Sequence, residues 1–517
     1  MNVRRYQKWA KSGLAILLAG AMMVGTAASG GGMTAQAAET ESSDTVSTQK
    51  AVTSDAASLL FTEKHITSDL TLPTIGASGT TISWKSSNPS VLSNEGKVTR
   101  PKKGAADEEV TLKGTVKMGD YAKARNFTFV VLAESEMGPT KEFALDQVEL
   151  LDDYYLTAQN SDIEFLKKFD NDRLLSRFRE TAGLDTKKIA PYGGWEDGWL
   201  GGHSVGHYLT AIAQAVKATG NADLKEKSKQ LIEGLAECQN KLGTGFIFGA
   251  KIETEGYVEK QFDILEGKTT GKTWVPWYNM HKMLTGLVDT YKYTGNKQAL
   301  EVAKKLGDWI YNRVSKWDAG TQGRVLGTEY GGMNDCLYEL YLCTRDSKHL
   351  EAAHKFDQPN LYKTVAKGGK NCLNGKHANT TIPKFLGALK RYVVLEQTGE
   401  LTKDDEAYLT NVEKFFDIAV TRHAYITGGV SVMEHFRKDN NQDGTRTQTN
   451  CESCCAHNML KMAKELYKVT GDKKYADYYE TTLRNSIMGA VKSESGAAAY
   501  FIPMATGYFK TFGNEDP

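Results

Sequence analysis

The stretch "GWLGGHSVGHYLTAIAQAVKATG", residues 198–220, sets the pattern for most of the chain. It opens with glycine, tryptophan and histidine, continues as a helix with periodic apolar residues, and closes on a glycine of the kind that ends helices. Asn221 follows, and asparagine is a favoured first cap of a new helix. The stretch therefore predicts the first helix of a helix hairpin, with its polar and aromatic residues at the starting end.

Four later stretches repeat this order of polar or aromatic opening, helix and closing turn. They are "VPWYNMHKMLTGLVDTYKYTG" (275–295), "EYGGMNDCLYELYLCTRD" (329–346), "GKHANTTIPKFLGALKRYVVLEQTG" (375–399) and "NCESCCAHNMLKMAKELYKVTG" (450–471). If the first helices of the hairpins are parallel neighbours in a ring, their openings line one rim. We therefore predict an all-α (α/α)6 toroid over 140–517, an architecture common in carbohydrate chemistry. Its sixth hairpin is missing, so we expect a barrel that is incomplete at the C-terminus.

The region before the toroid has a different texture, so the chain is predicted to be multi-domain. Residues 52–134 are short alternating runs such as "TISWKSSNP" and "FTFVVLAE", separated by glycine, proline, asparagine and serine. This spacing predicts a small all-β, Ig-like sandwich with Trp84 in its core. It has no catalytic grouping and is interpreted as a spacer or adhesion module. Residues 38–51 are small and polar, and are predicted to be a linker.

The N-terminus has the pattern of an export signal. Arg4 and Arg5 precede the apolar run "GLAILLAGAMMVGTAA", and Ala35 to Ala37 form an A-x-A cleavage site. Residues 1–37 are therefore predicted to be a secretory signal peptide, and the mature protein to be secreted or on the cell surface. No later apolar run is long enough to span a membrane. With 64 basic and 63 acidic residues, the charge balance gives no reason to expect nucleic acid or an anionic membrane as partner.

The cysteines fit a disulfide framework poorly. There are seven, an odd number, and three of them fall in "NCESCCAHNML". Adjacent cysteines rarely bond each other. At a helix start, Cys451, Cys454 and Cys455 are expected to share one face, where the helix N-terminus lowers thiol pKa. With Glu452 as an oxygen donor, this set suits Zn²⁺, although a four-ligand site needs further donors. The alternative is a group of inert buried cysteines.

Other polar residues at the predicted rim are candidates for substrate binding. His203 and His207 have the i, i+4 spacing of a metal pair, but Trp195 and Trp199 nearby favour a wall that binds sugar. Buried structural histidines remain the alternative. The further residues that we predict to contact substrate, each with a structural role as the alternative, are Tyr278, His281, Asn334 and His377.

Glu434, in "GGVSVMEHF", is a candidate general acid. Its apolar neighbours Met433 and Phe436 could raise the pKa of the carboxyl group, as a general acid requires. Taken alone, the residue also fits an ordinary loop glutamate.

Six motifs in order carry a resemblance. "GGHSVGHYLTA", "YNMHKMLTGLVDTYKYTGN", "EYGGMND", "HANTTIPK", "SVMEHF" and "CESCCAHNMLK" follow one another within residues 145–510. Together they resemble the bacterial β-L-arabinofuranosidases, glycoside hydrolases with a zinc–thiolate site. The resemblance implies an (α/α)6 barrel followed by β-sandwich domains, and retaining cleavage of terminal β-L-arabinofuranosyl residues of plant glycans. It also implies Glu434 as general acid/base and Zn²⁺ held by Glu452 and Cys454, with Cys451 in reserve.

The resemblance also implies a cysteine nucleophile in a later Cys-Cys pair, for which this sequence has no position. We therefore expect a truncated chain with little or no turnover.

Two alternative functions stay open: another α/α-toroid enzyme, such as a zinc-dependent cyclase or an unsaturated-uronyl hydrolase, and a glycan-binding or adhesion protein. The Trp-Cys and Cys-His-Gly motifs of a cyclase are absent. Metal content would separate the enzymes, and binding without product release would favour adhesion.

Overall fold

The computed structural model describes residues 43–61, 65–67, 69–102, 105–133, 140–250 and 257–514. The described chain divides into two compact units. The first takes its residues from Met1–Thr99 and Glu108–Val131, and the second from Arg100–Asp107 and Leu132–Pro517. The predicted signal peptide, 1–37, lies outside the described residues. In the part of the chain that is described, no helix is both long and apolar enough to cross a membrane.

The first unit is one four-stranded sheet with a helix. Its elements are α1 (Ser43–Ser58), β1 (His65–Ile66), β2 (Thr81–Ser86), β3 (Glu108–Met118) and β4 (Tyr121–Val131). The strand order is β1-β4-β3-β2, in which β1 runs parallel to β4 and the other pairs are antiparallel. A two-residue turn joins β3 to β4, since Met118 pairs with Tyr121.

Helix α1 corrects the predicted linker. Residues 43–51 are helical rather than a linker, and the helix continues to Ser58. Val52 and Ala56 are fully buried against Ile82 and Val116 of the sheet. The segment looked like a linker because only a narrow apolar stripe faces the sheet. The Ig-like strands are confirmed, and the second layer of the unit is a helix rather than a second sheet.

The second unit is helical. Its helices are α2 (Asp153–Lys167), α3 (Asn171–Ala182), α4 (His203–Thr219), α5 (Ala222–Leu242), α6 (Lys260–Leu265), α7 (Pro276–Thr294), α8 (Lys297–Val314), α9 (Ala319–Leu326), α10 (Met333–Thr344), α11 (Ser347–Lys355), α12 (Pro359–Ala366), α13 (Ala378–Thr398), α14 (Glu406–His423), α15 (Ser453–Thr470) and α16 (Lys473–Thr482).

These helices form the predicted series of hairpins. Helix α4 packs on α5, α7 on α8, α10 on α11, α13 on α14, and α15 on α16. The first helices of the hairpins also contact one another in the order α4, α7, α10, α13, α15, whereas α5, α8 and α11 pack in an outer layer. The inner helices are buried on most sides, which places the start of each next to the start of its neighbour.

The hairpin turns are built as their sequences predict. Gly220 and Gly295 end α4 and α7 in the left-handed conformation, with φ of 69° and 71°. Asn221 then accepts a hydrogen bond from a backbone N–H of α5, and Asn296 from one of α8. Arg345 takes the left-handed position after α10, with φ of 56°. The turns could be found from sequence because both signals are local.

A close crossing sets the spacing of α4 and α7. A Cβ atom on Gly286 would lie 2.5 Å from the carbonyl oxygen of Gly206, and one on Gly206 would lie 2.1 Å from that of Lys282. Both contacts are too short for any side chain, so glycine at these positions lets the two backbones touch. The first turn of α4 is thereby held against the second and third turns of α7.

Candidate active site

The starts of the inner helices meet at one rim. The ring centroids of His203 on α4 and Tyr278 on α7 are 6.2 Å apart. Asn458 on α15 donates to Asn379 on α13 across 3.0 Å. The structure therefore brings together the openings of hairpins that are far apart in sequence.

The loop that carries Glu434 has an unusual backbone. Ser431, Met433 and Glu434 all have positive φ, at 88°, 44° and 65°. The loop is pinned on both sides, because the N–H of Ala378 donates to the Glu434 carbonyl (2.7 Å) and the N–H of Met433 donates to the Thr449 carbonyl (2.9 Å). These bonds hold the Glu434 side chain between the starts of α13 and α15.

The Glu434 carboxylate has two polar neighbours. Its Oε2 lies 3.3 Å from Nε2 of His377, and its Oε1 accepts from the Tyr500 hydroxyl at 2.5 Å. The hydrogen bond from His377 outweighs partial burial and lowers the pKa of Glu434. The predicted rise of this pKa is therefore wrong. Met433 is 61% exposed and Phe436 is buried in a separate core cluster, so neither desolvates the carboxylate.

Glu452 is the second carboxylate of the site, and Tyr500 links it to the first. Glu452 stands just before α15 and is fully buried. Its Oε1 lies 3.2 Å from the Tyr500 hydroxyl, which also touches Glu434. The N–H of Ser453 donates to the Tyr500 carbonyl (3.0 Å), which fixes the tyrosine at the helix start. Tyr500 was missed from sequence, because "AAAYF" has no motif and the contact joins distant segments.

Two thiols share this corner with Glu452. Cys455 donates its S–H to Oε2 of Glu452 across 3.0 Å. Burial, and then the charge of Glu452, raise the pKa of Cys454 to about 12 and that of Cys455 well above its usual value. Burial also raises the pKa of Glu452 itself. All three groups therefore resist negative charge, and a metal ion bound here would have to displace their protons.

Cys451 does not belong to this corner. Helix α15 begins at Ser453, so Cys451 precedes the helix, with φ of 51°. Its sulfur accepts a hydrogen bond from Thr427 (3.6 Å), and its side chain is buried in an apolar cluster with Tyr425 and Val432. The prediction that the three cysteines share one helix face is wrong for Cys451. The reversed backbone at this residue points its side chain into a different cluster.

Two histidines of α4 lie on the wall beside this corner. Nδ1 of His203 is 3.0 Å from Oε1 of Glu196 and 2.6 Å from the Leu200 carbonyl oxygen. His207, one turn further, is exposed, and its ring centroid lies 5.9 Å from that of His203. Its imidazole can donate to or accept from a hydroxyl group.

Helix α7 adds an aromatic ring and a cation. Nζ of Lys282 lies 4.7 Å from the ring centroid of Tyr278. Burial lowers the pKa of Lys282 to about 8. Tyr278 lies near the thiol corner. Burial, followed by the negative charges of Cys454 and Glu452, raises the pKa of its hydroxyl group.

His281 and Asn334 are not on the rim surface. His281 is 5% exposed, and its Nδ1 accepts from the N–H of Gly332 (3.0 Å). Asn334 is fully buried and donates to Oδ1 of Asp357 (3.0 Å) and to the Tyr362 hydroxyl (3.3 Å). Both residues are thus buried in the wall of the barrel, and the substrate contacts predicted for them stay predictions. Nδ1 of His281 and the amide nitrogen of Asn334 already have partners inside this wall.

Comparisons with known proteins agree with this architecture. The profile of the GH127 beta-L-arabinofuranosidase catalytic domain matches residues 147–515. The profile of an atrophied bacterial Ig domain matches residues 43–134. No curated protein matches the chain.

Two solved structures share the fold. Ara127N-Se, a GH127 beta-L-arabinofuranosidase from Geobacillus stearothermophilus T6, is 18% identical with a TM-score of 0.51, over 69% of this chain and 58% of its own. A second GH127 beta-arabinofuranosidase is 19% identical with a TM-score of 0.53, over 73% of this chain and 59% of its own. This chain thus spans about three fifths of the length of each structure. By the profile match, which covers most of its length, the chain belongs to the GH127 β-L-arabinofuranosidase family.

Proposed function

We propose that the protein is a secreted, zinc-dependent glycoside hydrolase that acts on terminal β-L-arabinofuranosyl residues of plant glycans. Membership of the GH127 family supports the enzyme class and a carbohydrate substrate. The observation that carries the proposal is the bridge in which Tyr500 touches both Glu434 and Glu452 beside two thiols. Export is proposed from the signal pattern of residues 1–37 alone.

Glu434 is the proposed general acid/base. It is half-buried at the rim, and a histidine and a tyrosine orient its two oxygens separately. A residue in this role must be protonated when the glycosidic oxygen leaves and deprotonated when water attacks. The lowered pKa of Glu434 suits the second state, and the first requires a proton from a neighbour. The cysteine nucleophile that the resemblance implies is assigned to no residue of this chain.

Glu452 and Cys454 are the proposed zinc ligands, with Cys455 next to them. A carboxylate and thiols are donors that zinc accepts, and all three groups lie where negative charge is disfavoured. Bound zinc would hold the neighbouring sulfurs as thiolates. The donors are too few for a closed tetrahedral site. Within the described ranges, the one trio of such groups with ligand atoms inside 4.8 Å is elsewhere, at Asp308, Asp346 and His349.

Sugar recognition is proposed for the wall formed by α4, α7 and α13. His203, His207 and His377 offer hydrogen bonds to hydroxyl groups, and Tyr278 offers an aromatic face. Trp195 is 58% exposed and stands directly before Glu196, the partner of His203, so it can stack on a sugar at the same rim.

Hydrolysis of p-nitrophenyl β-L-arabinofuranoside, with zinc supplied, tests the reaction. We expect slow release of p-nitrophenol, reduced by roughly 10²- to 10⁴-fold in Glu434→Gln, the range for loss of a general acid/base. Glu301→Gln, which alters an exposed glutamate of the outer helix α8, should retain the wild-type rate. Equal rates in both variants would reject the role of Glu434. Binding of the sugar with no release in the wild type would favour a glycan-binding protein instead.

Zinc content tests the metal site separately. Glu452→Ala and Cys454→Ser should lose the zinc that the purified wild-type protein retains, as measured by elemental analysis after dialysis. Cys451→Ala is the matched control, and it should keep zinc because this cysteine lies in a separate cluster. Retention of zinc by the first two variants would show that the metal, if present, is bound elsewhere.

A further inference from the structure

His377 stands between two carboxylates, one on each ring nitrogen. Its Nε2 lies 3.3 Å from Oε2 of Glu434, and its Nδ1 lies 3.8 Å from Oε1 of Glu329. The backbone of His377 caps the start of α13, and Glu329 precedes α10. Three separate segments of the barrel thus place an acid, an imidazole and a second acid in a row that ends at the proposed acid/base.

Glu329 is held in place by its neighbour in the chain. Tyr330 is fully buried, and its hydroxyl donates to Gln358 across 3.1 Å. Nζ of Lys384 lies 4.5 Å from the centroid of the Tyr330 ring. Because the side chain of Tyr330 is anchored, the neighbouring Glu329 carboxylate is held near His377 although Glu329 itself is partly exposed.

The surroundings of His377 favour its charged form. The charged groups that face it are Glu329, Glu434 and Glu452, and the ring of His435 packs edge-on at 4.9 Å. Burial by itself would lower the pKa of His377. The hydrogen bond to Glu434 and the charges of Glu329 and Glu434 outweigh burial, so the net effect raises this pKa above its usual value.

We propose that His377 stores the proton that Glu434 delivers, and that Glu329 is a positioning residue that keeps His377 in the required form. The proposal rests on the proposed function of Glu434. The proton passes from Nε2 of His377 to Oε2 of Glu434, and then to the departing glycosidic oxygen as its bond to the anomeric carbon breaks. Over the whole hydrolysis one water molecule is consumed: its hydroxyl group ends on the anomeric carbon, and its proton returns through Glu434 to His377.

Glu329, the second carboxylate, influences which ring nitrogen of His377 releases its proton. Once Nε2 has released its proton, His377 is neutral and keeps a proton on Nδ1, the nitrogen that faces Glu329. At 3.8 Å Glu329 makes no hydrogen bond to Nδ1, but its negative charge favours the tautomer in which Nδ1 keeps the proton and Nε2 is the exchanging nitrogen. Without Glu329, either nitrogen could hold the remaining proton, and His377 would also be charged over a smaller range of pH.

An NMR titration of the full chain with labelled histidine tests the proposal directly. The His377 signal is assigned by its loss in His377→Asn. In the wild type, its titration midpoint should lie above about 6.5, the value for free histidine. Glu329→Gln should lower the midpoint by about one unit, as removal of an adjacent opposite charge does. Glu329→Asp should restore most of the shift, and Glu301→Gln should leave the midpoint unchanged. An unchanged midpoint in Glu329→Gln would overturn the proposal.

The test is independent of turnover. A shifted midpoint together with no cleavage of an arabinofuranoside would reject the proposed function and leave the role of Glu329 supported. Where cleavage is measurable, the alkaline limb of the kcat/KM profile should move to lower pH in Glu329→Gln by the same amount as the NMR midpoint. An alkaline limb that stays fixed while the NMR midpoint moves would overturn the proton route.

Discussion

Two groups of polar residues at the helix starts look alike in sequence and differ in the structure. Glu434, Tyr500 and His377 lie on the rim, partly open to solvent, with polar atoms that face one another. His281 and Asn334 are buried in the wall, and their polar atoms bind other parts of the barrel. We infer that a polar residue at a helix start can contact a bound sugar when it is exposed there and its hydrogen bonds are not used inside the wall, whereas buried Glu452 contributes through the groups next to it.

Neighbouring residues of one helix can differ in this respect, with one near the site and the next inside the wall. Tyr278 and Lys282 on α7 contact each other at i, i+4 and lie near the thiol corner, whereas His281 contacts the glycine turn before α10. On α10, Asn334 binds Asp357 inside the wall, whereas Asp335, which is also buried, lies 3.4 Å from Lys461 of α15. Neighbouring residues of a helix point about 100° apart, so position within the motif alone does not identify the functional face.

Among the single substitutions, the largest loss of stability is expected in the wall, where Asn334 is buried. Asn334→Ala removes the donor to Asp357 and Tyr362 and leaves a buried carboxylate oxygen without its partner. We expect the free energy of unfolding to fall by about 2–3 kcal/mol, as measured by denaturant titration. Affinity for arabinose should not change in the fraction that remains folded. Weaker sugar binding with no loss of stability would move Asn334 into the rim group.

The second prediction concerns a different set of buried residues, in which lysines pair with glutamates, and it expects acid to destabilise the fold. Lys390 and Lys292 each lie 2.6 Å from an oxygen of Glu339, and Lys390 lies 3.6 Å from Glu465. Despite burial, these lysines hold the pKa of Glu339 below its usual value, and Lys390 with Lys468 lowers that of Glu465 to about 2. In the unfolded chain both carboxyls take up protons near pH 4.3, so the unfolded state binds more protons below that pH.

Stability should therefore fall as the pH decreases from about 5 toward 2, with a slope of up to about 1.4 kcal/mol per pH unit for each group. Melting temperature measured across this range checks the expectation. Glu339→Gln should be less stable at pH 7 and should show a shallower dependence on pH. A variant with the wild-type slope would show that Glu339 is not one of the responsible groups.

The smallest change in the free energy of unfolding is expected from a substitution on the rim. No described residue hydrogen-bonds the ring of His207, so His207→Ala should change the free energy of unfolding by less than about 0.5 kcal/mol. Loss of its hydrogen bond to a sugar hydroxyl should weaken arabinose binding by roughly tenfold, measured by calorimetry. His281→Ala is the matched comparison and should give the opposite result. If both variants behaved alike, the division between rim and wall would fail.

The sequence predicted the barrel because its signals are local. Each hairpin turn combines a residue in the left-handed conformation with a side chain that caps the next helix, and both act within a few positions. Helix α1 was missed because its buried stripe, which includes Val52 and Ala56, is too narrow to stand out in a polar segment. Helix detection from pattern requires a wider apolar face than this helix has.

The site was predictable only in part. Glu434 and Glu452 were found by resemblance, but the environment of Glu434 depends on His377 and Tyr500, which lie 57 and 66 residues away in sequence. The direction of the Cys451 side chain depends on the sign of one backbone angle, which neither spacing nor composition reveals. Two kinds of feature therefore escaped prediction from the sequence: contacts between distant segments, and single residues with positive φ.

The left-handed residues of the Glu434 loop have a consequence for protein engineering. A non-glycine residue in this conformation costs of order 1 kcal/mol, and Ser431, Met433 and Glu434 all adopt it within four positions. Glycine in place of Ser431 would relieve that strain, so the substitution should favour thermal stability. The same change would loosen the segment that orients Glu434. Selection of variants for thermostability alone would therefore be expected to accumulate substitutions in this loop that impair catalysis.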